Sequence, residues 1–183
     1  MAAVSRPGEI GWKAAEFNLE GIDNQHWTLA QARGPKGLLV IFMCNHCPYV
    51  QSVVGRMVRD VSDLAAEGIG AIAINPNDAT AYPQDSFEKM KEFAKSHGLN
   101  FPYVVDPTQQ AARTYEAVCT PEFFGFNKDL ELQYRGRLDE SRTILVENAR
   151  RELYEAMRAI ASSGKGPVDQ KAAIGCSIKW RAA

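Results

Sequence analysis

Leu38-Leu39-Val40-Ile41-Phe42-Met43, followed at once by Cys44-Asn45-His46-Cys47-Pro48, is the stretch that decides the fold. Six apolar residues with no polar break are too few for a buried helix and predict a strand covered on both faces. Downstream, Val50, Val53, Val54, Met57, Val58, Val61 and Leu64 recur at helical spacing, and Gly68 closes that run as a C-cap. A C-x-x-C pair therefore falls where a buried strand turns into an amphipathic helix. Unpaired N–H groups and the helix dipole at such a junction favour an anion, and a thiolate is an anion. Cys44 is expected to be the nucleophile, the more exposed and more acidic thiol, with its pKa drawn from ~8.5 into the range ~3.5–7.5. Cys47 is expected to lie buried behind it. His46, beside Cys47, adds positive charge when protonated, and Pro48 suits a first helical turn, where a missing N–H costs little.

Toward the N-terminus, Phe17 to Trp27 reads as two short strands about a turn made by Gly21, Asp23 and Asn24. Leu29 to Ala32 reads as one helical turn, and Gly34-Pro35-Lys36-Gly37 as a break before the central strand. Toward the C-terminus, Ile69 to Ile74 is a second buried strand. Asp85 is placed as the cap of a helix with Glu88 at the capping-box position and Gly98 at its end. Tyr103 to Val105 is a third strand, and Asp106-Pro107-Thr108-Gln109 a helix start. Glu122 to Phe126 and Leu130 to Tyr134 pair as a hairpin about Asn127-Lys128-Asp129. A last helix is expected over Val146 to Ser162, with Leu153, Tyr154, Met157 and Ile160 inward. Residues 163–183 form a tail, turned back by Gly164, Gly166 and Pro167. Its Ile174, Ile178 and Trp180 are costly to leave in water at ~25 cal/mol per Å² of apolar surface. The tail is therefore expected to dock, with a partner for the Trp180 N–H.

At 183 residues the chain is expected to be one domain, 1–183. A net charge of −1, from 21 Lys and Arg against 22 Asp and Glu, removes bulk attraction to nucleic acid or anionic lipid. No stretch approaches the ~18–20 apolar residues of a membrane span, and Met1 to Ile10 lacks the apolar core of a signal peptide. These readings point to a cytoplasmic protein with reduced thiols. The cysteines, Cys44, Cys47, Cys119 and Cys176, are too few and scattered for a disulfide scaffold, so the C-x-x-C means redox or metal chemistry. Zinc wants four ligands, and neither a second C-x-x-C nor an H-x₃₋₅-H exists. Redox use without a metal or cofactor is the expectation. Cys119 reads as a small buried apolar residue, and His26 and His97 as loop and helix-end residues.

Strand, C-x-x-C-P and helix together resemble the active site of the thioredoxin superfamily, and the His before the second Cys is similar to disulfide isomerases and bacterial disulfide-introducing enzymes. The alternation of strands and helices is an α/β pattern. Over residues 10–180 it resembles the alkyl hydroperoxide reductase/thiol-specific antioxidant group, in its peroxiredoxin-like subgroup. The motifs that carry the likeness are Cys44-Asn45-His46-Cys47-Pro48-Tyr49-Val50, Tyr82-Pro83-Gln84-Asp85-Ser86, Phe101-Pro102-Tyr103, Cys119-Thr120-Pro121 and Gly175-Cys176-Ser177-Ile178-Lys179-Trp180. The resemblance implies a thioredoxin-like α/β fold with a central mixed sheet flanked by helices, an N-terminal strand extension and a docked tail. It implies disulfide exchange by Cys44 and Cys47, supported by Asn45 and His46. It also implies a cis Thr120-Pro121 bond facing the sulfurs, with the Thr120 backbone offered to a substrate chain. Cys176 stays open between a packing residue and a resolving thiol. Implied partners are protein or small-molecule disulfides, peroxides, and a thioredoxin- or glutathione-type electron donor.

Two departures matter. Peroxiredoxins carry Pro-x-x-x-Thr-x-x-Cys, yet counting back from Cys47 gives Cys44 and Val40, and from Cys44 gives Ile41 and Gly37. The buried acid that thioredoxins place six residues before the first Cys is Leu38. A thiol–disulfide oxidoreductase is the leading reading. The alternatives are a thiol peroxidase, and a metal-binding or redox-sensing protein that uses Cys44, Cys47, Cys176 and His46 without turnover.

Overall fold

The computed structural model describes residues 1–182. In chain order the elements are β1 (Ala2–Val4), β2 (Asn18–Gly21), β3 (His26–Thr28), α1 (Leu29–Ala32), β4 (Gly37–Phe42), α2 (Pro48–Ala66), β5 (Ile69–Asn75), a 3₁₀ turn (Pro83–Asp85), α3 (Phe87–His97), β6 (Tyr103–Val105), α4 (Gln110–Thr114), β7 (Cys119–Thr120), β8 (Glu122–Asn127), β9 (Leu132–Gly136), α5 (Glu152–Ser163) and β10 (Ile174–Ser177). Strands β3-β2-β6-β5 and β4-β8-β9 meet where the Met43 N–H donates to Ile74 O at 3.0 Å. The β5–β6 pair is parallel and the other pairs are antiparallel, so the sheet is mixed. A smaller sheet, β1-β10-β7, joins the two ends of the chain.

The uninterrupted apolar run forms a strand buried along its whole length because both of its faces are covered. Side chains alternate across a strand. Leu39, Ile41 and Met43 therefore enter one core with Val50, Val53, Val54, Met57, Leu153 and Met157, under α2 and α5. Leu38, Val40 and Phe42 enter the other with Leu29, Ala112 and Tyr115, under α1 and α4. Cys44 and Cys47 belong to the first core. Among the described residues no helix is long and apolar enough to cross a membrane.

The structure moves several expected boundaries. Ser86, not Asp85, caps α3, with its side chain accepting from the Lys89 N–H. Asp106 accepts from the Ala112 N–H instead of opening a helix at Pro107, and α4 begins at Gln110 after Gln109 in the left-handed region. The returning strand begins at Leu132 because Asn127 Oδ1 accepts from the Asp129 and Glu131 N–H groups and prolongs the turn. The last helix starts at Glu152, not Val146: Val146 O is taken by Arg56 Nη2 at 2.6 Å, and Ser141 Oγ accepts the Val146 N–H. Tyr154 lies half-buried under the Arg151 guanidinium, 3.8 Å from its ring centroid, and Ala156 takes the inward place. β1 has no counterpart in the sequence reading.

The same Arg56 pairs with the nearly buried Asp139 at 2.7 Å. Burial works to raise the Asp139 pKa, but hydrogen bonds from Arg56 and Ser141 outweigh it and hold it below the usual carboxylate value. A depressed carboxylate stabilises the fold above its unfolded pKa, ~3.9, and the gain is lost as pH falls through the folded value. Arg56→Leu is expected to cost about 1.5–3 kcal/mol at pH 7. The gap from wild type should narrow below about pH 4. Urea melts at the two pH values measure both.

Candidate active site

β4 ends at Phe42, and α2 starts at Pro48 with Cys47 as its N-cap. The intervening Met43 to His46 link the two. Asp85, fully buried at the end of the 3₁₀ turn, holds this turn in place. Its Oδ1 accepts the Asn45 N–H at 2.8 Å and the His46 N–H at 3.3 Å. Its Oδ2 lies 2.6 Å from His46 Nδ1 and accepts from Asn77 Nδ2 at 2.8 Å. Asn45 is anchored further: its Nδ2 donates to Gln84 O at 3.0 Å, and its Oδ1 accepts from the Tyr103 hydroxyl at 2.9 Å. Gln51 Nε2 donates back to Asn45 O at 3.0 Å. No buried side-chain N or O among the described residues lacks a partner, so the turn is rigid in the sense that matters for positioning sulfurs.

The Thr120-Pro121 peptide is cis, as the resemblance implied. Thr120 faces both sulfurs. Its Oγ1 is 3.4 Å from Cys44 Sγ, and its carbonyl is 3.1 Å from Cys47 Sγ, which donates to it when protonated. Behind it the buried Glu122 accepts from the Val118 and Cys119 N–H groups and pairs with Arg135 at 2.8 Å. Cys119 is fully buried against this pair; burial and then Glu122 raise its pKa, as expected of an inert packing thiol.

The expected difference in exposure between Cys44 and Cys47 is absent, and their pKa directions run opposite to the expectation. Both are 0 % exposed, so Cys44 is not the more open thiol. The Cys44 thiol is pushed well above its ordinary pKa by its hydrogen bond to Cys47, then by burial and the Asp85 charge. Cys47 is lowered to about 5, first by the Cys44 thiol donating to it, then, against burial, by the Cys176 thiol, the Cys176 backbone N–H and Thr120. Sequence reasoning missed this because position within the motif says nothing about which sulfur the acid and which the donors approach. His46 is also redirected. Its Nδ1 is committed to Asp85, and its ring stacks on Tyr82 at 5.9 Å.

A Cys44 sulfur, a His46 nitrogen and an Asp85 oxygen lie within 4.8 Å of one another. Zinc is typically four-coordinate. Here His46 and Asp85 bond directly to each other and Asp85 holds two backbone N–H groups, so these ligand atoms already serve one another. Asp85, Asn77 and Tyr103 hold the turn although sequence reasoning gave them no role there. Asp85 and Tyr103 lie within motifs that carried the resemblance, and Ser86 suits the cap of α3 as well as Asp85 does, which leaves Asp85 spare.

The tail supplies the remaining piece. β10 pairs antiparallel with β7, Cys176 opposite Thr120, and with β1, Cys176 opposite Ala2. The Asp78 N–H donates to Lys179 O, and the Lys179 N–H donates to Asn77 Oδ1, each at 2.9 Å, which ties the tail to the loop before Asp85. Ile178 is buried as expected. Trp180 is not: it stays 39 % exposed, with its ring against the Arg113 guanidinium at 4.4 Å, and solvent reaches the indole.

Among known proteins, the AhpC/TSA family profile matches residues 10–135. An uncharacterized conserved protein from Geobacillus kaustophilus is 38% identical, with all of this chain and 98% of that one covered and a TM-score of 0.94. A hypothetical protein from Sinorhizobium meliloti 1021 is 33% identical, with 98% and 99% covered and a TM-score of 0.93. The thiol-disulfide oxidoreductase ResA of Bacillus subtilis (strain 168) is 24% identical over 119 residues, 65% of this chain; the match spans 62% of the length of that curated relative.

Proposed function

The chain belongs to the AhpC/TSA family, with a thioredoxin-like fold, and from that premise we propose that it is a thiol–disulfide oxidoreductase working through Cys44 and Cys47. One observation carries the reading: two sulfurs gathered on Thr120 at a helix N-terminus, 3.4 Å from its hydroxyl and 3.1 Å from its carbonyl, with the Cys44 pKa pushed up and the Cys47 pKa drawn down. That asymmetry suits exchange, in which a thiolate attacks and a second thiol completes the reaction. The Cys47 thiolate attacks one sulfur of a substrate disulfide. The substrate S–S bond breaks, a mixed disulfide forms at Cys47, and the departing thiolate takes a proton. Cys44 then attacks Cys47 Sγ, the Cys44–Cys47 disulfide closes, and the second substrate sulfur leaves as a thiol with the proton from Cys44. A thioredoxin-type dithiol, or two molecules of a glutathione-type thiol, in a reducing, cytoplasmic setting would return two electrons. The ResA likeness supports the same chemistry. Residues 1–183 would act as one domain with 163–183 as its tail.

The roles are tested by trapping. With oxidised glutathione, Cys44→Ser should accumulate glutathione or another sulfur on Cys47, while Cys47→Ser should not hold glutathione on Cys44. The reverse pattern restores Cys44 as the attacking sulfur, and no exchange by wild type rejects the function. A second reading, thiol peroxidase, is favoured by the burial of both sulfurs, which suits a small oxidant. The thiolate would attack one peroxide oxygen, the O–O bond would break with the other oxygen leaving as water or an alcohol, and Cys44 would condense with the sulfenate to give the disulfide and a second molecule of water. Peroxide consumption beside disulfide reduction in the same assay separates the two.

A further inference from the structure

β7 is two residues long, and the strand on its edge comes from the same chain: Cys176 stands opposite Thr120 and Ser177 opposite Cys119. Adding an extended segment to an open strand edge is a general way for a peptide to dock, with main-chain bonds for affinity and side chains for specificity. Here the added strand presents a thiol: Cys176 pairs with Thr120, whose carbonyl is 3.1 Å from Cys47 Sγ, and packs against the core that holds Cys44 and Cys47. Gly175 makes the approach possible, because a Cβ at that position would run into the Thr120 carbonyl. β1 backs the strand from the other side, and the Ser177 N–H donates to Met1 O at 3.0 Å. Of the three clustered sulfurs, Cys44 and Cys47 are sealed from solvent and Cys176 is partly exposed.

We propose that β10 is a built-in substrate strand, and that Cys176 accepts the Cys44–Cys47 disulfide and carries it to the protein surface. The inference rests on the thiol–disulfide reading above. The Cys176 thiolate attacks Cys47 Sγ. The Cys44–Cys47 bond breaks as the Cys47–Cys176 bond forms, and the proton that left Cys176 ends on Cys44. No electrons are gained or lost, so the step needs no further oxidant. An external dithiol then reduces the new bond at Cys176, the sulfur within its reach. In the reduced protein burial and the neighbouring Cys47 hold the Cys176 pKa up to about 12. Placing Cys47 in a disulfide removes its charge and eases ionisation of Cys176 at the moment when attack is required.

The test is peptide mapping without reductant, after treatment with oxidised glutathione and rapid alkylation. Cys44→Ser is expected to yield a Cys47–Cys176 peptide pair, and wild type both that pair and Cys44–Cys47. Gly175→Val, which pushes β10 off Thr120 without touching a sulfur, is expected to lose the Cys47–Cys176 pair and keep Cys44–Cys47. Glutathione on Cys47 with Cys176 fully alkylated in Cys44→Ser, or an undiminished Cys47–Cys176 yield in Gly175→Val, overturns the proposal. A wild type that forms Cys44–Cys47 but never engages Cys176 overturns it alone. A wild type that forms no disulfide at either active cysteine overturns the underlying function as well.

Discussion

Replacing Cys47 by Ser is expected to lower disulfide exchange by at least about 10³-fold, the scale on which loss of a nucleophile is felt. Oxygen in place of sulfur leaves the same hydrogen-bond partners but no thiolate, since a Ser hydroxyl does not ionise near neutrality. The wild-type pH profile should identify the group. With Cys47 lowered to about 5, its thiolate is nearly saturated at pH 7. One pH unit below the pKa about a tenth of the sulfur stays ionised, so the rate should fall roughly tenfold from pH 7 to pH 4. Stopped-flow alkylation of the reduced protein gives the curve directly. A single rise near pH 8–9, the range of an unperturbed thiol, would show that Cys47 is not ionised ahead of Cys44.

The second large effect is expected at Asp85. Asp85→Ala removes the acceptor of the Asn45, His46 and Asn77 donors inside the protein and leaves His46 without its partner. An orphaned buried donor costs about 1–3 kcal/mol, and Asp85→Ala strands the Asn45 N–H and Asn77 Nδ2 inside the protein. A stability loss of about 2–5 kcal/mol is expected by urea melts. Activity should fall by about 10²-fold, since a displacement of ~1 Å at reacting atoms is enough for that. Asp85→Asn keeps the shape and part of the bonding, so it should recover most of the stability. Its exchange profile distinguishes positioning from bulk folding. Without the Asp85 charge, Cys44 loses one of the influences that hold its proton, and its alkylation should shift to lower pH. An unchanged Cys44 profile in a folded Asp85→Asn variant would leave Asp85 a structural residue only.

The resemblance drawn from Cys44-Asn45-His46-Cys47-Pro48 held at the level of family and fold because it rested on local physics. An unbroken apolar run has only one low-cost arrangement, a strand between two cores, and a 3.6-residue apolar period after it has only the amphipathic helix. Leu39 and Val40 entering opposite cores follows from the alternation of strand side chains. Boundaries failed where one distant side chain intercepted the backbone. Val146 was expected in a helix, but Arg56 reaches across from α2 to its carbonyl. Asp85 was expected to cap α3, but its carboxylate is drawn to the two N–H groups of the turn after β4, 40 and 39 residues away. Ser86, one residue on, caps α3 in its place.

The sequence by itself determined that a pair of sulfurs sits at a strand-to-helix junction, because that follows from spacing and hydrophobic period. It also indicated that the tail docks, because Ile174, Ile178 and Trp180 were costly to leave in water together, though Trp180 stays exposed. Which groups approach each sulfur, which acid holds the turn, and which edge the tail occupies were decided only by the tertiary structure. Each depends on groups brought within a few ångströms from positions far apart in the chain: Thr120 under Cys44, Asp85 beside His46, and Cys176 opposite Thr120 against Cys47. Hydrogen bonds and charge at that range set a proton's position, and no local pattern of residues encodes them.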